Sequence, residues 1–114
     1  MCGRIDIDGE RLSHDLSEML GFDFHVETNN DLRPTQSIQT LFSGQQGFEQ
    51  MDASWGIKPT WSKQLLINAK AETDDQKLTF KQAFRERRCI VPCSGWYEWR
   101  NEGGPRKQKY HFQH

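Results

Sequence analysis

Much of this chain reads as short strands separated by turn residues, which makes it largely a sheet-forming sequence. Arg4 to Asp8 alternates through Ile5 and Ile7, the two-residue period of a half-buried strand. Ser37–Phe42 and Gly47–Trp55 read as two more strands, joined as a hairpin through Ser43-Gly44-Gln45-Gln46. Leu65-Leu66-Ile67 is a brief apolar strand, Cys89-Ile90-Val91-Pro92 a buried one, and Trp96–Trp99 its return past a Ser94-Gly95 turn. Lys107–Phe112 follows as a strand after the turn residues Glu102-Gly103-Gly104-Pro105. Helical spacing occurs in two places. Glu10–Leu20 aligns Leu12, Leu16, Met19 and Leu20 and stops at Gly21, and Thr79–Arg88 aligns Phe80, Ala83 and Phe84 ahead of Arg85, Arg87 and Arg88. Asn29 to Gln36 reads as loop, and Trp55-Gly56-Ile57-Lys58-Pro59-Thr60-Trp61 as an ordered loop too irregular for an element interior.

A chain of 114 residues is one domain, 1–114, and buries about 60–70% of its unfolded surface. With 34% hydrophobic residues and a mean hydropathy of -0.89, its core is thin. Four Trp and seven Phe compensate in part, because each aromatic ring buries a large area. Three cysteines cannot all pair, no signal segment opens the chain, and no apolar run approaches membrane-spanning length. These features predict a soluble, reduced, cytoplasmic protein in which Cys89 and Cys93 are buried thiols. Cys89-x3-Cys93 with His111-x2-His114 misses the spacing of a zinc finger, and Ile-Val-Pro between the cysteines reads as strand, so no metal is expected. No phosphate-binding glycine loop and no other cofactor motif is present.

Charge is unevenly distributed. Residues 1–60 hold four Lys/Arg against ten Asp/Glu, a balance of -6, whereas residues 61–114 hold eleven against six, a balance of +5. The basic half also carries Trp61, Trp96, Trp99, Tyr97 and Tyr110. Interleaved cations and rings suit single-stranded nucleic acid, where cations follow phosphates and rings stack on bases. A solvated basic face over an aromatic core is the plainer alternative.

Chemistry concentrates in the first four residues, Met1-Cys2-Gly3-Arg4. If Met1 is clipped, as is expected before a small second residue, Cys2 carries a free α-amine and a thiol on adjacent carbons. An amine adds to an aldehyde to give a Schiff base, and the neighbouring thiol can close on it as a five-membered thiazolidine. The same residue could instead be an N-terminal nucleophile in amide cleavage, with its own amine as base. Glu98 is a second candidate, because a carboxylate between Tyr97 and Trp99 sits in a setting suited to proton transfer. Asn68-Ala69-Lys70-Ala71-Glu72-Thr73 follows the Leu65–Ile67 strand, where polar groups are held rigidly yet reach a cleft.

Five segments, Met1–Arg4, Arg33-Pro34-Thr35-Gln36, Trp55-Gly56-Ile57-x-Pro59-x-Trp61, Asn68–Thr73 and Arg88-Cys89-Ile90-Val91-Pro92-x-x-Gly95-Trp96-Tyr97-Glu98-Trp99, together resemble the SOS response-associated peptidase (SRAP) family. The resemblance implies an α+β fold with a twisted, mostly antiparallel, barrel-like sheet and flanking helices. It also implies that the chain is the N-terminal portion of such a domain, incomplete toward its C-terminal end, since the family's His-x-Arg-Met-Pro-like motif is absent and His111 and His114 do not match it. By the same resemblance the partner is single-stranded DNA containing abasic sites, whose ring-opened sugar is an aldehyde. Cys2 becomes the crosslinking residue, Asn68 the amide that orients sugar or cysteine, and Glu98 the acid and base. Arg4, Pro34, Trp61, Lys70, Arg85 and Arg88 become candidate DNA contacts. Lys70 stands where the family usually has Arg, reducing a bidentate phosphate contact to a point charge. Asp31 stands where the family often has Asn. A thiol-dependent peptidase acting through Cys2, on its own terminus or other chains, and an inactive remnant are the alternative readings.

Overall fold

The computed structural model describes residues 2–113, so Met1, whose removal is expected, and His114 lie outside the described residues. Eight elements follow in the order β1 (Ile5–Ile7), α1 (Gly9–Leu20), β2 (Asn29–Leu32), β3 (Ser37–Gly44), β4 (Gly47–Ser54), α2 (Leu78–Glu86), β5 (Gly95–Arg100) and β6 (Gln108–Gln113). One antiparallel sheet runs β2-β1-β5-β6, and β3 and β4 form a second.

The fold is α+β with antiparallel sheets, and it is not closed into a barrel. The reason is the bonding of the rails. β3 and β4 pair with each other from Ser37↔Ser54 to Gly44↔Gly47, while β2 and β6 remain the edges of the larger sheet. A single bridge, Leu41↔Ile90, ties β3 to the segment ahead of β5, with bonds of 2.9 and 2.7 Å.

β1 is the centre of the molecule. All three of its residues are buried, because it has a strand on each side: Ile5 faces Leu32 on β2 and Trp96 on β5. Ile5, Ile7, Leu32 and Ile38 form the core cluster. α1 begins where Asp8 accepts from the Arg11 amide at 3.2 Å, an N-cap worth about 1 kcal/mol. It ends at Gly21, whose φ of 74° lets the amide turn back to the Ser17 carbonyl at 3.0 Å. The radius of gyration is 16.0 Å, against roughly 13 Å for a compact domain of this length. The excess reflects an elongated shape, with principal extents of 49 × 35 × 22 Å, and an apolar cavity of about 370 Å³ opens between Ile5 and Ile38 on one side and Cys89, Val91 and Cys93 on the other.

Several expectations are corrected. Asn29–Leu32 is a strand and not part of a loop: its backbone bonds to β1, and its polar side chains find partners across the sheet. Cys89–Pro92 is not a buried strand paired with Trp96–Trp99. Ile90 makes its one bridge, is 60% exposed, and is followed by Pro92, which has no amide to donate. Cys89 is accordingly exposed, whereas Cys93 is partly buried. Leu65–Ile67 reduces to a single bridge, Ile57↔Leu66.

Candidate functional site

Cys2 is reached by following β1 outward. The Tyr97 amide donates to the Arg4 carbonyl at 3.0 Å, extending the β1–β5 ladder toward the terminus. The half-buried Cys2 packs against the Ile5–Ile38 cluster, and its Sγ donates to the Arg4 carbonyl at 3.4 Å. Asn68 Nδ2 donates to the Cys2 carbonyl at 2.9 Å across 66 residues of sequence.

Asn68 is positioned in turn by Trp55. The indole Nε1 donates to the Ile67 carbonyl at 3.0 Å, beside the Ile57↔Leu66 bridge with its bonds of 2.9 and 2.8 Å. The Trp55 backbone is tied to the Pro34-Thr35 turn: its carbonyl accepts from the Thr35 amide at 2.9 Å, and its amide donates to the Gln36 carbonyl at 3.2 Å. Thr35 has φ of 78°. A β-branched residue in the left-handed region costs about 1–3 kcal/mol and persists where its surroundings hold it, here through Trp55. A chain of contacts thus runs from Thr35 through Trp55, Ile67 and Asn68 to Cys2.

β5 supplies the other side. Glu98 is half-buried and shares a strand face with Trp96, which packs on the same core cluster as Cys2. Arg4 and Trp99 belong to the opposite face, with the Arg4 guanidinium 5.2 Å from the Trp99 ring centre and its Nη1 2.6 Å from Asp31 Oδ1. Cys93 packs against the same cluster as Cys2, and burial, then the nearby Cys2, pushes its thiol up from the usual range.

Among the predicted DNA contacts, Trp61 is 70% exposed on the loop between Ile57 and Leu66, and Lys70 is exposed two residues beyond Asn68. Pro34 is half-buried at the strained turn. Arg85, in the last turn of α2, and Arg88 belong elsewhere. Arg88 lies 5.3 Å from the Phe84 ring and lines a cleft of about 330 Å³ with Phe42 and Phe48 of the hairpin. Sequence reasoning missed two further groups. Arg33 grips Asp31 Oδ2 through Nε at 3.1 Å and Nη2 at 2.6 Å. Asp6, buried to 5% exposure, accepts from Asn30 Nδ2 at 2.7 Å and pairs with His111 Nε2 at 3.0 Å, while His111 stacks on Tyr97 at 4.4 Å. The Tyr97 hydroxyl donates to the Asn30 carbonyl at 3.0 Å, and burial with the Asp6 and Asp31 carboxylates keeps that phenol protonated to higher pH. The alternation of β5 and β6 was the signal that could have paired Tyr97 with His111.

No helix among the described residues is long and apolar enough to cross a membrane. The profile of the SOS response associated peptidase (SRAP) family matches residues 1–114. Abasic site processing protein YoqW of Bacillus subtilis is 30% identical over 112 residues, covering 88% of this chain and 48% of that protein. Abasic site processing protein YedK of Escherichia coli is 28% identical over 110 residues, covering 90% and 50%. In solved structures, a phage-related protein from Bordetella bronchiseptica superposes with a TM-score of 0.76 at 28% identity, over 96% of this chain and 54% of its own. The chain spans about half the length of these relatives. With the family profile matched from residue 1 to residue 114 and Cys2, Asn68 and the Pro34-Thr35 turn joined through Trp55, the chain belongs to the SRAP family.

Proposed function

We propose that this chain, as the N-terminal part of an SRAP domain, binds single-stranded DNA and traps abasic sites covalently through Cys2 as a DNA-damage protein acting in the cytoplasm. With Met1 removed, the Cys2 α-amine attacks the aldehyde carbon of the ring-opened sugar. The carbinolamine loses water to give the Schiff base. Sγ then adds to the imine carbon, a C–S bond forms, the C=N π pair moves to nitrogen, and the thiol proton ends there, leaving a neutral thiazolidine. Glu98 carries protons in the dehydration and ring-closing steps, assistance typically worth about 10²–10⁴-fold. Asn68 fixes the Cys2 carbonyl and with it the direction of the amine. Arg4, Pro34, Trp61 and Lys70 meet backbone and bases around it, and Arg85 and Arg88 meet the strand farther along. No metal or cofactor is needed for these steps.

The observation that supports this reading most is the 2.9 Å bond from Asn68 to the Cys2 carbonyl, because it joins two distant motifs at the one residue with two nucleophiles. The relatives' names as abasic site processing proteins point the same way. A denaturing gel tests it. Incubation with an oligonucleotide bearing one abasic site should give a heat-stable shifted band. Cys2→Ser should retain a borohydride-trappable Schiff base and lose the stable product, and Glu98→Gln and Asn68→Ala should slow the reaction. A band formed by Cys2→Ala at the wild-type rate would exclude Cys2 as the crosslinking residue.

A further inference from the structure

We propose that Asp31 holds Arg33 as a DNA phosphate would, and that a phosphodiester of single-stranded DNA replaces it on Arg33 while Arg4 keeps Asp31. This deepens the binding role proposed above and rests on it. The geometry is that of an oxyanion clamp. Asp31 Oδ1 takes Arg4 Nη1 at 2.6 Å, and Asp31 Oδ2 takes Arg33 Nη2 at 2.6 Å and Nε at 3.1 Å. Two guanidinium groups thus share one carboxylate, leaving the seat with one net positive charge. A phosphodiester offers two equivalent oxygens with the same bidentate reach to Arg33 that the carboxylate uses.

The two cations differ in freedom. Arg4 is held over Trp99 and is 24% exposed, whereas Arg33 is 55% exposed and bound to Asp31 from two residues away. Arg4 Nε is buried without a partner, so its group is set by the ring and by Asp31 and not by a filled set of bonds. Arg33 is therefore the arm that swings to phosphate while Arg4 keeps Asp31. Lys109, 5.8 Å from the Trp99 ring and 4.1 Å from the Tyr97 ring, adds a further cation on the same face. Asp31 opposes an incoming phosphate and makes non-covalent binding weak, so that residence depends on the covalent step.

Fluorescence anisotropy with an undamaged oligothymidylate tests this without crosslinking. Removing one negative charge about 5 Å from a phosphate should tighten binding by Asp31→Asn about fourfold in low salt. Its log–log salt slope should steepen by about 0.7 for the additional phosphate neutralised. Arg33→Ala in the Asp31→Asn background should remove the gain, an interaction visible in the double-mutant cycle. Arg33→Glu, at an exposed side chain, should weaken binding by more than the single-charge step. Asp31→Asn that is folded and binds no more tightly than wild type overturns the inference and leaves the single-stranded DNA reading intact, as does Arg33→Glu binding like wild type. Absence of binding by every one of these proteins overturns both.

Discussion

Gly95→Ala probes the joint on which the terminus rests. Gly95 sits in β5 opposite Asp6 on one side and Gln113 on the other. A Cβ there would press into the Phe112 carbonyl and lie 3.1 Å from His111 Nε2. The first obstacle is backbone, so β6 must move away from β5. Overpacking of this kind costs about 1–3 kcal/mol, and one or two ladder bonds add about 1 kcal/mol each. Alanine's smaller unfolded-state entropy returns about 0.4–1 kcal/mol. The net loss is about 1–5 kcal/mol, which for a domain near 100 residues lowers Tm by about 4–40 °C. Thermal unfolding followed by tryptophan fluorescence reads it directly, since the adjacent Trp96 stacks on Phe112 at 5.3 Å. Gly104→Ala is the control: its nearest atom is 3.8 Å away, and its Tm should be almost unchanged. A Gly95→Ala protein melting within about 3 °C of wild type would refute the close approach of β5 and β6.

Alkylation by iodoacetamide near neutral pH should modify the exposed Cys89 well before Cys93, because burial and the neighbouring Cys2 disfavour the Cys93 thiolate; equal rates in peptide mapping would contradict that placement. Arg33, then Arg4, holds the Asp31 carboxyl below its ordinary value. Its support for the fold is therefore present above about pH 4 and is lost as pH falls through the lower folded value. In an NMR titration Arg33→Ala should raise the Asp31 midpoint, and an unmoved midpoint would dismiss the pair.

The strands and helices with a clear local signal were legible: Ile5 and Ile7 alternate, α1 stops at Gly21, and the hairpin follows from two strand-like segments spaced about a short turn. β2 was not, because Asn29, Asn30 and Asp31 have turn-forming side chains, and their strand rests on backbone pairing with β1 and on the bonds of Asn30 to Asp6 and of Asp31 to Arg4. Had that strand been visible, the i, i+2 spacing of Asp31 and Arg33 would have exposed their pairing. Cys89-Ile90-Val91 misled in the opposite direction. Their apolar character implied burial, yet the cavity beside them is open and Ile90 faces solvent. For the site, the motifs named Cys2, Asn68 and Glu98, but the role of Trp55 as the link between Thr35 and Asn68 depends on contacts that no local pattern encodes.

The position of β1 sets an order of assembly during synthesis. Ile5 pairs with Trp96, some ninety residues later, whereas β3 and β4 close over the short turn between Gly44 and Gly47. At about 5–20 residues per second, the ribosome needs about 5–20 s to supply the β5 partner of the first strand. A hairpin forms in about 1–10 μs once its residues are free. The β3–β4 hairpin, like the pairing of β1 with β2, can therefore form before β5 emerges, and until then β1 keeps one unpaired edge. Through that interval the open edge of β1 can accept another chain, until β5 covers it.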